Sequence, residues 1–305
     1  ASSNDGDGWD PNNADPGDFF GSEPSSWHGT HVAGIIAAQS NAIGVTGIAP
    51  NVKIMPVRAL GADGGNSSDL IAALRWSAGI HVAGVPDNKT PAQVVNLSMG
   101  TDSYTPCRLR GQTSGATEVA LAELKAAGVT VISAAGNFNV PANESYPGNC
   151  YPTINVAATG KTGKPTFYSN FGNAVDIAAP GGDYCYAIGS QQASGQIYST
   201  LNDGTSAPGN ATYGYELGTS MASPNVAGVV ALMYSALLRK TPTVAKNSDL
   251  VTKMWNALKD TVTPLASTSP PAAPFGGSCG PSVAGSQNYG AGIVNAEAAV
   301  TAILQ

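Results

Sequence analysis

The sequence predicts an α/β fold with a doubly wound, mostly parallel sheet flanked by helices. From residue 29 onward, short apolar runs alternate with helical patterns, which is typical of repeated βαβ units. The runs are mostly apolar and read as strands that are buried in a parallel sheet. A chain of 305 residues is within the size of one α/β domain. We therefore expect a single domain spanning residues 1–305.

The individual elements follow from this pattern in chain order. Residues 1–27 are polar, rich in Asp and Gly, and without an apolar period. Buried strands are predicted for residues 52–60, 94–99, 129–135, 154–158 and 175–179. Helices are predicted for residues 28–38, 67–80, 117–127 and 220–238, followed by a Pro-rich loop at 264–282 and a short helix from Asn295. The helix at 220–238 is apolar almost all round, which predicts a central, buried position.

Composition and charge exclude several classes of partner. Only 11% of the residues are charged, and the net charge is −6, which disfavours binding to nucleic acid or to anionic lipid. The longest apolar stretch, residues 226–238, is too short to span a bilayer. We expect a monomer without nucleic-acid or membrane partners.

Four cysteines indicate the redox compartment. Cys107, Cys150, Cys185 and Cys279 lie too far apart for a zinc ribbon, which needs close C-x-x-C pairs. Together with the scarcity of Lys, they favour disulfides in an oxidising, extracellular setting. Four buried free thiols in a cytosolic protein are the alternative.

Three short strings carry residues suited to nucleophilic catalysis. His28, in WHGTHVAG, follows a polar loop at the start of a helix, where an imidazole acts as a base near neutral pH. Ser220, in GTSMASP, lies at the start of the buried helix, where the dipole and a main-chain N–H stabilise an oxyanion. Asn137, in AAGN, ends a buried strand and offers a side-chain N–H₂ to the same site.

These strings resemble the His, Asn and Ser motifs of the subtilisin-like serine peptidases, in the family's order and spacing. The resemblance extends from about residue 27 to residue 238 and recurs in GAGIVNA at 290–296. It implies a secreted endopeptidase that cleaves proteins or peptides through an acyl-enzyme. In that mechanism Ser220 is the nucleophile, His28 the general base and Asn137 an oxyanion donor.

The resemblance also implies a substrate cleft. Residues 60–65 and 98–100 look like the two family segments that pair with an extended substrate. Phe138 and Ser145 are expected to border the first specificity pocket, with a preference for a large apolar P1 side chain. For Gly65, an ordinary turn position is an equal alternative. The residues assigned to the cleft are Gly64, Gly65, Ser98, Met99, Gly100, Phe138 and Ser145.

Two calcium sites are expected. Residues 41–45 resemble the family's calcium loop, which uses an Asn side chain and backbone carbonyls, and such oxygen ligands suit Ca²⁺. The Asp-rich segment before residue 18 concentrates carboxylates that repel one another unless a cation lies among them; a solvated acidic tail is its alternative. The candidate ligands are Asn41, Ile43 and Val45 in the first site and Asp5, Asp7, Asp10 and Asn13 in the second.

The disulfide pairing expected on this reading is Cys107 with Cys150 and Cys185 with Cys279. Cys107 follows the cleft segment at 98–100, and Cys150 follows the strand that carries Asn137, so this bridge braces the pocket wall. The second bridge ties the Pro-rich loop to the segment after Pro180.

One family element is absent at the front of the chain. Family members place an apolar strand that ends in Asp-Ser/Thr-Gly before the His motif, and residues 1–27 contain no such strand. No residue can therefore be named as the acid of the triad. We expect the natural protein to be longer at its N-terminus, or the gap to be filled by residues 1–27 or by a separate segment that carries the Asp. A catalytically weak or silent fragment that binds peptides is the alternative function.

Overall fold

The computed structural model describes residues 12, 14–101, 105–107, 115–184, 195–267 and 287–305, and the main-chain course of 274–275 and 278–279. Its central sheet has four parallel strands in the order β1-β2-β3-β4. The strands are β1 (Val94–Leu97), β2 (Thr130–Ala134), β3 (Ile154–Thr159) and β4 (Ile177–Pro180). Each begins within two residues of its predicted start. The fold-class prediction, a parallel sheet flanked by helices, is confirmed.

Helices cover both faces of the sheet. They are α1 (His28–Ala37), α2 (Ser67–Ser77), α3 (Ala116–Ala126), α4 (Thr219–Lys240), α5 (Ser248–Asp260) and α6 (Ala296–Ile303). Neighbouring side chains of β2 point to opposite faces: Ile132 packs with α4, α5 and α6, whereas Val131 packs with α2 and α3. Strand β2 is thus buried on both sides, which accounts for the mostly apolar sequence of the central strands.

The central element of the larger core is α4. This helix contacts all four strands of the sheet, and Val226, Val230 and Met233 are almost completely buried. It is long and apolar enough to cross a membrane, but 72% of its most apolar window is buried inside the protein. The helix therefore serves as the core of the fold, as its sequence predicts.

The strand predicted for residues 52–60 is not formed. The chain there pairs with no strand among the described residues, and Ile54, Val57 and Leu60 are exposed. A run of apolar residues becomes a strand only where a neighbour satisfies its backbone groups. The outer edge of the central sheet, at β1, is also unpaired, because β1 pairs with β2 alone in the described part of the chain.

A hairpin and a helix were not predicted from the sequence. The hairpin consists of β5 (Ile197–Asn202) and β6 (Ala211–Glu216), and its polar strands lack a clear apolar period. The helix, α5, was missed although its buried residues recur at helical spacing and Asn247 caps it by accepting a hydrogen bond from the Leu250 N–H at 3.1 Å. The expected loop at 264–282 contains a small antiparallel pair, β7 (Pro274–Phe275) and β8 (Ser278–Cys279).

A disulfide joins Cys107 to Cys150, with the two Cα atoms 5.2 Å apart. This is the first of the two expected bridges, and it links the segment after β1 to the segment between β2 and β3. Cys185 and the side chain of Cys279 lie outside the described residues, so the second pairing stays a prediction.

Candidate active site

Ser220 is the second residue of α4 and therefore lies in the turn whose backbone N–H groups have no partner within the helix. The residue before the helix is Gly218, with φ of 153°, and it provides no side-chain cap. The N–H of Thr219 donates to Asn137 and that of Met221 to the carbonyl of Gly218, whereas the N–H of Ser220 has no acceptor among the described residues. The Ser220 N–H thus remains available to a negatively charged oxygen, which the positive end of the helix dipole also favours.

Asn137 is oriented toward the site by Thr219, the first residue of α4. The Asn137 Oδ1 accepts hydrogen bonds from the main-chain N–H and the hydroxyl of Thr219, both at 2.8 Å. The Thr219 hydroxyl in turn accepts from the N–H of Gly136 at 3.1 Å. Because the oxygen is engaged, the Nδ2 group is the end of the amide that is left for a ligand. Sequence reasoning missed Thr219, although it stands inside the string that revealed Ser220.

The hydrogen bonds of a second side chain, Asn170, hold the loop that follows β2. The side chain of Asn170 is completely buried and donates to the carbonyl of Ala135 at 2.9 Å. Its Oδ1 accepts from the N–H groups of Phe138 at 3.0 Å and Val140 at 3.2 Å. Asn170 thereby fixes the backbone on both sides of Asn137. No motif surrounds it, and the sequence offered no signal for this role.

A cavity of about 190 Å³ lies between Asn137 and Ser220. Phe138 stands at its exposed rim, and Ser145 is buried behind its wall, where its Oγ lies 3.2 Å from the point at which a Cβ of Gly100 would be. The lining residues are Met99, Gly100, Thr101, Ala134, Gly136, Asn137, Phe138, Thr219 and Ser220.

Not every expected cleft residue lies at this cavity. Gly64 and Gly65 belong to an exposed turn that is closed by mutual hydrogen bonds between Gly61 and Gly64. Gly64 has φ of 103°, a backbone conformation that favours glycine. Ser98 is adjacent to the cavity wall, but its side chain points to α4 and contacts the carbonyl of Ser220.

His28 is the first residue of α1. The preceding Trp27 is buried in a left-handed conformation, with φ of 55°, and its indole N–H donates to the carbonyl of Gly204 at 2.6 Å. Helices α1 and α4 pack together through Val32, Ile35 and Met221. Because Met221 directly follows Ser220 and Val32 is one turn from His28, this packing brings the first turns of the two helices together.

Burial lowers the pKa of His28, and the negative charge of Asp18 partly opposes this effect. Burial alone raises the pKa of Asp18, but hydrogen bonds from the Ser26 N–H at 2.6 Å and hydroxyl at 2.5 Å bring it below its usual value. Within the described residues, no carboxylate hydrogen-bonds to the His28 ring. The imidazole is therefore a neutral base whose tautomer no described partner fixes.

His31, one turn further along α1, has a structural role. Its ring is fully buried, and Nε2 lies 3.1 Å from the carbonyl oxygen of Ile197 and 3.3 Å from that of Gly214, which ties α1 to the hairpin. Its Nδ1 is 3.9 Å from a carboxylate oxygen of Glu216. Burial lowers the pKa of His31, whereas burial and the nearby Asp18 raise the pKa of Glu216 to about 7.

The expected calcium loop at 41–45 offers neutral oxygen donors. The Asn41 Oδ1 accepts from the N–H of Ile43 at 3.0 Å, and the carbonyls of Ile43 and Val45 accept no hydrogen bond from the described residues. These donors fit a Ca²⁺ ion chemically. No group of three or more His, Cys, Asp or Glu that suits a metal occurs in the described part of the chain. The second expected set, Asp5, Asp7, Asp10 and Asn13, lies outside the described residues.

Comparisons with known proteins agree on one family. The sequence profile of the subtilase family matches residues 1–273. The chain is 40% identical to an extracellular protease of Xanthomonas campestris over 98% of its length, and 34% identical to subtilisin BL of Lederbergia lenta over 92%. Among solved structures it is similar to a protease of Pseudoalteromonas arctica, with a TM-score of 0.80, 38% identity and coverage of 99% of this chain and 80% of the other.

The fraction of the relative's own length that this chain covers differs from one relative to another. It spans 46% of the Xanthomonas protease and 45% of an extracellular basic protease of Dichelobacter nodosus, about half of each. It covers 81% of subtilisin BL.

Proposed function

The chain belongs to the subtilase family, and we propose that it is a secreted serine endopeptidase with Ser220 as nucleophile, His28 as general base and Asn137 as oxyanion donor. The observation that carries the proposal is the arrangement around the cavity. There the engaged Oδ1 of Asn137 leaves Nδ2 free beside the uncapped first turn of α4. Relatives that are named extracellular proteases and the Cys107–Cys150 disulfide support secretion.

The proposed reaction follows from these groups. The Ser220 Oγ attacks the carbonyl carbon of the scissile bond while His28 takes its proton. The carbonyl oxygen becomes an oxyanion that accepts hydrogen bonds from the Asn137 Nδ2 and the Ser220 N–H. When the C–N bond breaks, protonated His28 gives its proton to the leaving amine, and an acyl-enzyme remains. Water, deprotonated by His28, then hydrolyses the ester and restores the free hydroxyl.

The acid of the triad is proposed to come from a separate N-terminal segment that pairs between β1 and residues 52–60. The open edge of β1 and the exposed apolar side chains Ile54, Val57 and Leu60 support this position. An Asp at the end of such a strand would fix the tautomer of His28 and raise its pKa. A peptide-binding protein with little activity is the second candidate, and it is favoured because no carboxylate hydrogen-bonds to His28 within the described residues.

Mass analysis of the purified protein distinguishes these candidates. We expect a co-purifying peptide that contains Asp-Ser/Thr-Gly. Its absence, combined with full activity of the 305-residue chain, would contradict the proposed segment and show that His28 and Ser220 suffice.

The cavity is proposed to receive a large apolar P1 side chain, while the substrate backbone pairs with residues 98–100 and with Gly64 and Gly65. Its volume of about 190 Å³ and the small Ser145 behind its wall support this preference. We expect peptides with Phe or Leu at P1 to be cleaved faster than matched peptides with Asp or Lys. Equal rates for all four would contradict the preference.

Calcium is proposed as the ion of the 41–45 loop, where it would crosslink the loop through Asn41, Ile43 and Val45. An ion bound only by the folded state adds stability by mass action. We expect EDTA to lower the melting temperature, readdition of Ca²⁺ to restore it, and Asn41→Ala to reduce the EDTA effect. If EDTA leaves the melting temperature unchanged, the loop holds no calcium.

Labelling by a fluorophosphonate probe tests the nucleophile directly. We expect one adduct, at Ser220, which disappears in Ser220→Ala together with peptidase activity. Ser248→Ala is the matched control, because Ser248 also stands at the start of a helix, α5, but lies outside the cavity. An adduct at another residue, or activity that survives in Ser220→Ala, would overturn the proposed function.

A further inference from the structure

Helix α4 contains a proline at a position where it removes a hydrogen bond from the nucleophile's own peptide. In an α-helix each carbonyl accepts from the N–H four residues later, and the residue four after Ser220 is Pro224, which has no N–H. The carbonyl of Ser220 instead accepts a hydrogen bond from the Oγ of Ser98, at 2.6 Å. We propose that the Ser98 hydroxyl replaces the missing helix donor and thereby positions the nucleophile, an inference that rests on the proposed role of Ser220.

Counting protons fixes the direction of every hydrogen bond around Ser98. Its hydroxyl has one proton, and the carbonyl of Ser220 can only accept, so this proton goes to Ser220. The Nδ2 of Asn96 and the Oγ of Ser223, each 2.9 Å away, must therefore both donate to Ser98. Accepting two hydrogen bonds strengthens the donation to Ser220, because such chains polarise one another.

The location of Ser98 explains why this contact acts on catalysis. Ser98 directly follows β1, and the next residues, Met99 and Gly100, line the cavity. The Ser98 hydroxyl thus links the segment that lines the cavity to the peptide unit between Ser220 and Met221. Without it that carbonyl has no donor among the described residues, and the peptide unit after Ser220 loses a contact that fixes its orientation, although Asn137 still holds Thr219. A small change in that orientation moves the Ser220 hydroxyl relative to His28 and the Ser220 N–H relative to Asn137.

The first experiment replaces Ser98 in the complete protein, including any segment that co-purifies with it. Removing a donor from a partly buried carbonyl and shifting the nucleophile by a fraction of an ångström predict that Ser98→Ala lowers kcat about 10- to 100-fold. The KM for a peptide substrate is expected to stay within about threefold, since the cavity wall itself is retained. Ser98→Thr keeps the hydroxyl and is expected to keep most of kcat.

The second experiment restores the missing donor from the other side. Pro224→Ala gives position 224 an N–H that can donate to the carbonyl of Ser220. We expect the double variant Ser98→Ala/Pro224→Ala to recover at least about tenfold of the kcat lost in Ser98→Ala, a coupling that a double-mutant cycle measures. A purely structural role of Ser98 would change the melting temperature without this recovery of kcat.

The outcomes separate this inference from the proposed function. If Ser220→Ala is inactive but Ser98→Ala keeps the parent kcat, or if Pro224→Ala recovers nothing, only the positioning role of Ser98 is overturned. If Ser220→Ala stays active, the proposed function fails and takes this inference with it. Should Ser98→Ala not fold, Ser223→Ala removes one of the donors to Ser98 and is expected to lower kcat severalfold; an unchanged kcat in that variant overturns the inference.

Discussion

Helices α4 and α5 both begin at a Thr or Ser residue, yet their N-termini are built in opposite ways. Helix α5 has a side-chain cap from Asn247 and an acidic residue, Asp249, in its first turn. Helix α4 follows Gly218, has no side-chain cap and no acidic residue in its first turn, and contains Pro224. The first arrangement satisfies the exposed N–H groups and stabilises the helix. The second leaves the Ser220 N–H for a ligand, while the Thr219 N–H donates to Asn137, a residue outside the helix.

The largest effect is expected where the first turn of α4 meets Asn137, the proposed oxyanion donor. Asn137→Ala removes the Nδ2 donor, and loss of one such donor typically lowers kcat on the order of 10² to 10³. Steady-state kinetics with a Phe P1 peptide measure it, and KM is expected to change little. An unchanged kcat would show that the first turn of α4 stabilises the oxyanion alone.

Giving α4 an ordinary cap is expected to have the next largest effect. A side chain at Gly218 must adopt φ of 153°, and its Cβ would lie 3.2 Å from the Asn137 Nδ2. In Gly218→Ser, strain and the displaced amide are expected to lower kcat about 10-fold or more, since small misplacements of catalytic groups are costly. Equal activity of this variant and the parent would mean that the uncapped N-terminus has no functional value.

The strand that leads into α4, β6, ends in the half-buried Glu216. Its pKa is raised from 4.5 to about 7, so the folded state holds a proton that the unfolded state releases between these values. Stability from this group is therefore greatest below pH 4.5 and falls as the pH rises through 7. Glu216→Gln is expected to melt a few degrees higher than the parent at pH 8 and at the same temperature at pH 4. A difference that is equal at both pH values would contradict the assignment.

The smallest effect is expected at the capped helix. Asn247→Ala removes the acceptor for the Leu250 N–H, and loss of such a cap typically costs about 1 kcal/mol of stability. Denaturant unfolding measures this loss, while kcat is expected to match the parent. A fall in kcat would show that the two helix termini are coupled.

The sequence predicted those parts of the molecule that depend on local pattern. Strands β2, β3 and β4 are mostly apolar because both faces are buried, so their positions follow from composition. Residues 52–60 have a similar apolar pattern, but they form a strand only if another strand pairs with them. The sequence of residues 52–60 does not indicate whether such a strand is present. Ser220, His28 and Asn137 stand in recognisable strings, and their roles stay predictions.

The supporting contacts were not predictable, because they join residues far apart in the chain. The hydrogen bonds from Asn170 to the loop around Asn137 and from Ser98 to Ser220 depend on which face of a segment meets which turn. Spacing in the sequence does not determine those contacts.

The order of the elements along the chain has a consequence for when the site comes into existence. Helix α4 follows all four strands of the central sheet and packs on every one of them. During synthesis, the imidazole and the amide emerge long before the hydroxyl, and the helix that carries the hydroxyl has no surface to dock on until the sheet is assembled. Contacts of such large sequence separation form slowly. The assembled site is thus a late product of folding, and on the proposed function an unfinished chain lacks the nucleophile and cannot cleave its neighbours.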